Sequence, residues 1–101
     1  MGQMQPKELD DKLILMYLPY ALARVESSKN LTIDELREYR KQSSDFFRYV
    51  SKHSYDDHVA LLANHRNDPY FGQYIERMLS QKGLEWLRFN YALMRRVAEE
   101  K

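Results

Sequence analysis

The chain has 101 residues, enough for one hydrophobic core and too few for two, so a single domain spanning 1–101 is expected. Its 44% hydrophobic and 31% charged residues are those of a globular protein and exclude disorder driven by low hydropathy. Sixteen basic residues against fifteen acidic ones leave a net charge of +1, so attraction to nucleic acid or anionic lipid has to come from local clustering. Cysteine is absent, which removes disulfides, thiolate nucleophiles and cysteine-ligated zinc and points to a reducing, cytoplasmic setting.

Residues 1–6 lack the basic flank and apolar core of a secretory signal and are expected to be disordered. Gly2 is not a myristoylation site, because Pro6 stands where Ser or Thr is required. The longest apolar run, Leu13 to Leu18, is too short to span a bilayer, and no membrane association is expected.

The first helix is expected from about Lys7 to Val25, with Leu9, Leu13, Met16, Tyr17 and Tyr20 on its apolar stripe and a kink or break at Pro19. A polar loop over 26–30 follows. Thr32 and Glu35 then have the spacing of a capping box, flanked by Leu31 and Leu36 as a hydrophobic staple, which opens a short helix over about 33–40. Ser43 or Ser44 caps the next helix, which carries Phe46, Phe47 and Val50 inward and ends near His53.

Ser54 with Asp57 three residues on opens another helix, holding Val59, Leu61 and Leu62 and fading over 64–67. Asp68-Pro69 offers a cap followed by proline at the first helical position. Tyr70, Phe71, Tyr74, Ile75, Met78 and Leu79 recur at helical steps, and Gly83 is placed to stop that helix. The last helix, from Leu84 to about Glu99, has the widest apolar face. Such a face needs more than one neighbour, which leaves two readings: a place in the middle of the monomer's core, or a homodimer interface through Trp86, Phe89, Tyr91, Leu93, Met94 and Val97. The expected fold is mainly α, a compact domain of five or six helices with a helix-turn-helix-like pair and a long C-terminal helix.

That pair, Thr32 to Arg40 and Ser44 to His53, has the dimensions of a helix-turn-helix. The outward face of its second helix carries Asp45, Arg48, Tyr49 and Lys52. Arg48 and Lys52 are one turn apart, as a groove-reading helix requires, whereas Asp45 would repel phosphate and the turn lacks glycine. The alternative is two neighbouring helices of an ordinary bundle with a solvated face. The stretch Leu79-Ser80-Gln81-Lys82-Gly83-Leu84-Glu85-Trp86-Leu87 resembles the passage from the last wing strand into the C-terminal helix of winged helix-turn-helix proteins, whose pattern reads Leu-Ser/Thr-x-Lys-Gly.

The resemblance covers roughly residues 31 to 95. It implies a β-hairpin near 70–79, DNA contacts from Ser44, Arg48, Tyr49 and Lys52 on the recognition helix with Arg77 and Lys82 near the wing, and dimerisation through the C-terminal helix. The sequence departs from the family over 69–79, where the periodicity is helical and no alternation appears.

Other chemistry is thinly represented. His53, His58 and His65 are spaced by five and seven residues, without the four-residue spacing of histidine ligands on one helix, and read as exposed histidines of a polar helix; no metal or other cofactor is expected. Arg48 followed by His53 resembles the Arg-x4-His pattern of the HEPN ribonucleases, which would implicate those two residues in assisting attack by a ribose hydroxyl. No phosphate loop, nucleophile elbow or paired-carboxylate site is present, and no enzymatic activity is expected. The leading functional reading is therefore a small regulator that binds double-stranded DNA in transcription. Its alternative is a helical protein-interaction module, a small inhibitor or adaptor, using exposed aromatics of the 70–97 region such as Tyr70 and Trp86.

Overall fold

Proline decides where the first helical segment breaks. In a computed structural model describing the backbone of residues 6–101 and side chains from Asp10 onward, that segment is two helices, α1 (Pro6–Leu15) and α2 (Leu18–Glu26). Pro19 has no N–H to give the Leu15 carbonyl, so the α1 ladder ends there, and Pro19 falls in the first turn of α2, where a missing donor costs little. Of the stretch 1–6 expected to be disordered, Pro6 opens α1 and the rest lies outside the described residues.

Five more helices follow among the described residues: α3 (Ile33–Gln42), α4 (Ser44–Lys52), α5 (Tyr55–Asn64), α6 (Gly72–Met78) and α7 (Gln81–Ala98). No strand occurs among them, so the hairpin expected near 70–79 is replaced by a turn and α6. The physical reason is the helical spacing of Ile75 and Met78, both fully buried on one face of α6. No described helix is long and apolar enough to cross a membrane.

Both capping boxes form. The Glu35 amide donates to Thr32 Oγ1 at 3.1 Å and the Thr32 amide to Glu35 Oε1 at 3.0 Å; Ser54 and Asp57 make the equivalent pair at 3.1 and 3.0 Å. Leu31 and Leu36, the staple residues, are buried. Asp68 accepts from the amides of Tyr70 and Phe71, both at 2.8 Å, but caps a turn, and α6 begins only at Gly72.

Gly83 does not stop a helix; it lies in the first turn of α7. Ser80 caps that turn, accepting the Gly83 amide at 3.1 Å, and a Cβ on Gly83 would sit 2.2 Å from the Met78 carbonyl oxygen. The glycine is there because α6 and α7 meet backbone to backbone.

α7 is the central element. It packs on α2, α3, α4 and α6, which together cover its wide apolar face. Trp86, Tyr91, Met94 and Val97 are thus core residues of the monomer and unavailable as they stand to the interface suggested for them, because neighbouring helices of the same chain already cover them. Leu93 is half-buried, and Phe89 alone of the six is exposed. Polar groups fix the α2–α3 loop to the same helix: the Trp86 indole donates to the Lys29 carbonyl at 2.6 Å, and buried Asn90 accepts the Leu31 amide at 2.7 Å. A radius of gyration of 13.2 Å, with one contiguous core, is that of one domain of about 100 residues.

Candidate functional site

Two concave surfaces lie on either side of a buried histidine. The first is a cleft of about 460 Å³ between α1, α4 and α5, and it contains most of the expected recognition face: Arg48, Tyr49 and Lys52 line it, with Ser44 exposed at the start of α4. Arg77 and Lys82 do not line it. Arg77 is exposed on α6 in an ion pair with Glu26, and Lys82 is exposed in the first turn of α7.

The charges around α4 come from elements the sequence could not place beside it. Asp10 and Asp11 of α1 and Asp57 of α5 face the cleft with Asp45, so carboxylates outnumber permanent cations by four to two. Arg48 donates to Asp45 at 2.9 Å, and His53 Nδ1 is 3.7 Å from the Asp57 carboxylate. The Ser54 amide and hydroxyl, with His53 contributing less, hold Asp57 below the usual carboxylate range. Tyr49 stacks on His53 at 4.2 Å and its hydroxyl is pushed up to about 12, by burial first and then by Asp57 and Asp11. Phosphate approaching Arg48 and Lys52 therefore meets carboxylates on three helices. Arg48 and His53, the Arg-x4-His pair, do line one cleft, each already engaged by a neighbouring carboxylate.

The three histidines occupy three different settings. His53 is exposed; His65 bonds Asp11 at 2.9 Å. His58 is not an exposed histidine of a polar helix but is fully buried, its Nε2 2.6 Å from the Tyr17 hydroxyl and its ring packed by Tyr17, Phe46, Tyr49 and Tyr91. Its Nδ1 has no hydrogen-bond partner. Burial, with a smaller contribution from the charge of His53, drives its pKa down to about 3, so the ring is neutral. Among the described residues, no three carboxylate or imidazole groups converge as metal ligands do.

The second surface is an apolar groove of about 420 Å³ between α2 and α3. Both helices pack on α7 but barely on each other, and the gap is floored by buried Phe46, Met94 and Leu36. Tyr39 forms one wall. Met16, 61% exposed, and Tyr20, 53% exposed, stand at the rim.

Tyr20 is exposed yet fixed. Its hydroxyl donates to Glu35 at 2.7 Å, and the Arg24 guanidinium lies 5.0 Å from its ring centroid while bonding the same carboxylate. Arg24 first and Tyr20 second hold Glu35 down at about 2. An aromatic side chain already immobilised in water loses little rotamer entropy when a partner covers it.

Sequence reasoning placed Met16 and Tyr20 on the buried stripe of one long helix. Leu13, Met16 and Tyr20 do share one helical face, but it is the outward one; the buried stripe lies beside it, in Ile14, Leu15, Leu18, Ala21, Leu22 and Val25, with Tyr17 at the border between the two. The signal was the second apolar stripe at helical steps, Ile14, Leu18, Ala21, Leu22 and Val25, which runs on past Pro19 and is the one buried. Tyr70, the aromatic proposed for partner binding, is exposed and packs edge-on against Phe71. No protein-family model, curated protein or solved structure matches the chain.

Proposed function

We propose that this chain is a non-enzymatic, cytoplasmic helical protein-interaction module, an adaptor or inhibitor that holds an apolar helical segment of a partner protein between α2 and α3. The observation that carries the reading is the exposed pair Met16 and Tyr20, the latter held by Glu35, at the mouth of an apolar groove floored by Phe46 and Met94. Exposed apolar side chains scattered singly are ordinary, but two beside a concave apolar surface, one of them locked, have the character of binding anchors. A groove between two helices accepts a third by ordinary ridge packing, as helix-in-groove recognition does.

Double-stranded DNA is the second reading. Arg48 and Lys52, exposed and one turn apart on α4, favour it. The carboxylates sharing their cleft, and the helix in place of a wing hairpin, weigh against it.

A neutral amphipathic 18-residue peptide of leucine and glutamine, titrated into the isotopically labelled chain, tests the docking reading. The amides of Met16, Tyr20, Leu36 and Tyr39 are expected to shift together, and Tyr20→Asp to abolish the response with the circular dichroism unchanged. No movement of those amides at millimolar peptide overturns it.

A further inference from the structure

The chemistry of the groove's lining selects among helical partners. We infer that its occupant is a basic amphipathic helix of another protein, with bulky apolar side chains on one face and Lys or Arg beside them; this rests on the docking reading above. The lining contains two carboxylates, Glu35 and Glu38, and no cation. Arg24 neutralises Glu35. Glu38 is left at the mouth, well exposed, with Lys41 at 3.5 Å one turn along the same helix.

An exposed pair of that kind contributes little and exchanges readily, so Glu38 is available to a cation carried in on a partner. An acidic helix would instead set its charge against Glu38 as the apolar floor excludes water, where like charges repel most strongly. Charge here acts as a selector, while Met16, Tyr20 and Tyr39 provide the apolar contact.

A second copy of this chain fits less well. The exposed apolar side chain of α7 is Phe89, flanked by exposed Arg88 and Arg96, which matches the chemistry. But Met94, five residues further on, already faces the groove from inside, so Phe89 points roughly 140° away around the helix at 3.6 residues per turn. A copy docking through Phe89 would join two different surfaces head to tail and not pair one surface with itself.

Two further 18-residue peptides with the same leucine pattern, one with lysine and one with glutamate at every polar position, provide the test by chemical-shift titration. The lysine peptide is expected to move the amides of Met16, Tyr20, Leu36 and Tyr39 and to bind at least tenfold more tightly than the glutamate peptide. Glu38→Lys, a change on an exposed side chain, should reverse that order with the circular dichroism unchanged. Equal binding of both peptides at the groove would overturn the charge selection and leave docking standing; no binding by these or the neutral peptide would remove both. Two other results overturn the inference: the lysine peptide moving only amides of the acidic cleft, such as Asp45 and Asp57, or the free chain self-associating with shifts at both Phe89 and the groove.

Discussion

The cleft between α1, α4 and α5 and the groove between α2 and α3 are similar in volume, about 460 and 420 Å³, and opposite in chemistry. The cleft carries the residues that attract attention in the sequence, Arg48, Tyr49, Lys52 and His53, and surrounds them with carboxylates. The groove is made from residues that look like core, and two of these, Met16 and Tyr20, turn out to face water. His58 stands between them, bonded to Tyr17 on the groove side and packed against Tyr49 on the cleft side. A charged helix face is thus not a binding site until its neighbours are known, and an apolar stripe is not a core until the stripe beside it is known to face outward.

The comparison can be broken most forcefully at the groove floor. Phe46 is fully buried and touches the rings of Tyr17, Tyr39 and Phe47, so Phe46→Ala is expected to cost about 3–5 kcal/mol, read from the urea midpoint. A loss below about 1 kcal/mol would mean that the floor is not part of the core.

Acid should act through the partition. His58 takes a proton near 6.5 when unfolded and only near 3 when folded, so between those values the unfolded state binds more protons. Stability is then full above about pH 7 and declines as pH falls, by up to about 1.4 kcal/mol per unit. Glu35, lowered from 4.5 to about 2 by Arg24 and then Tyr20, adds a decline of the same sign below the carboxylate range. Urea titrations at pH 7 and 5.5, run on the chain and on His58→Phe, measure the His58 contribution as their difference; a slope unchanged in the variant would assign the effect elsewhere.

Gly83→Ala probes the α6–α7 junction and is expected to cost about 1–3 kcal/mol, since the new methyl meets the Met78 carbonyl. The smallest effect belongs to the cleft: the double change Arg48→Ala and Lys52→Ala removes exposed side chains and is expected to alter stability by less than about 1 kcal/mol. A larger loss in thermal melts would show that the cleft's charges hold the fold.

Local signals were the legible ones. Thr32 with Glu35 and Ser54 with Asp57 are complete within four residues, and the inward triad Phe46, Phe47 and Val50 follows from period alone, so α3, α4 and α5 could be placed from the sequence. What depended on distant partners could not be. The burial of His58 rests on Tyr17, forty-one positions away, and the need for Gly83 on the carbonyl of Met78. The covering of Trp86 and Tyr91 rests on helices whose packing no local pattern encodes. Over 70–79 the helical spacing was the sound signal, and the wing implied by the Leu79 to Leu87 stretch did not materialise, because burying Ile75 and Met78 together requires a helix.

The contrast between the surfaces reduces to one competition. With the labelled chain at low salt, the neutral leucine–glutamine peptide and a random-sequence DNA duplex are titrated in turn. Movement of the Met16, Tyr20, Leu36 and Tyr39 amides with the peptide, and none at Arg48, Tyr49 and Lys52 with the duplex, is the expected result. Shifts at Arg48, Tyr49 and Lys52 that appear with DNA and fade steeply as salt is added, over a silent groove, would contradict it.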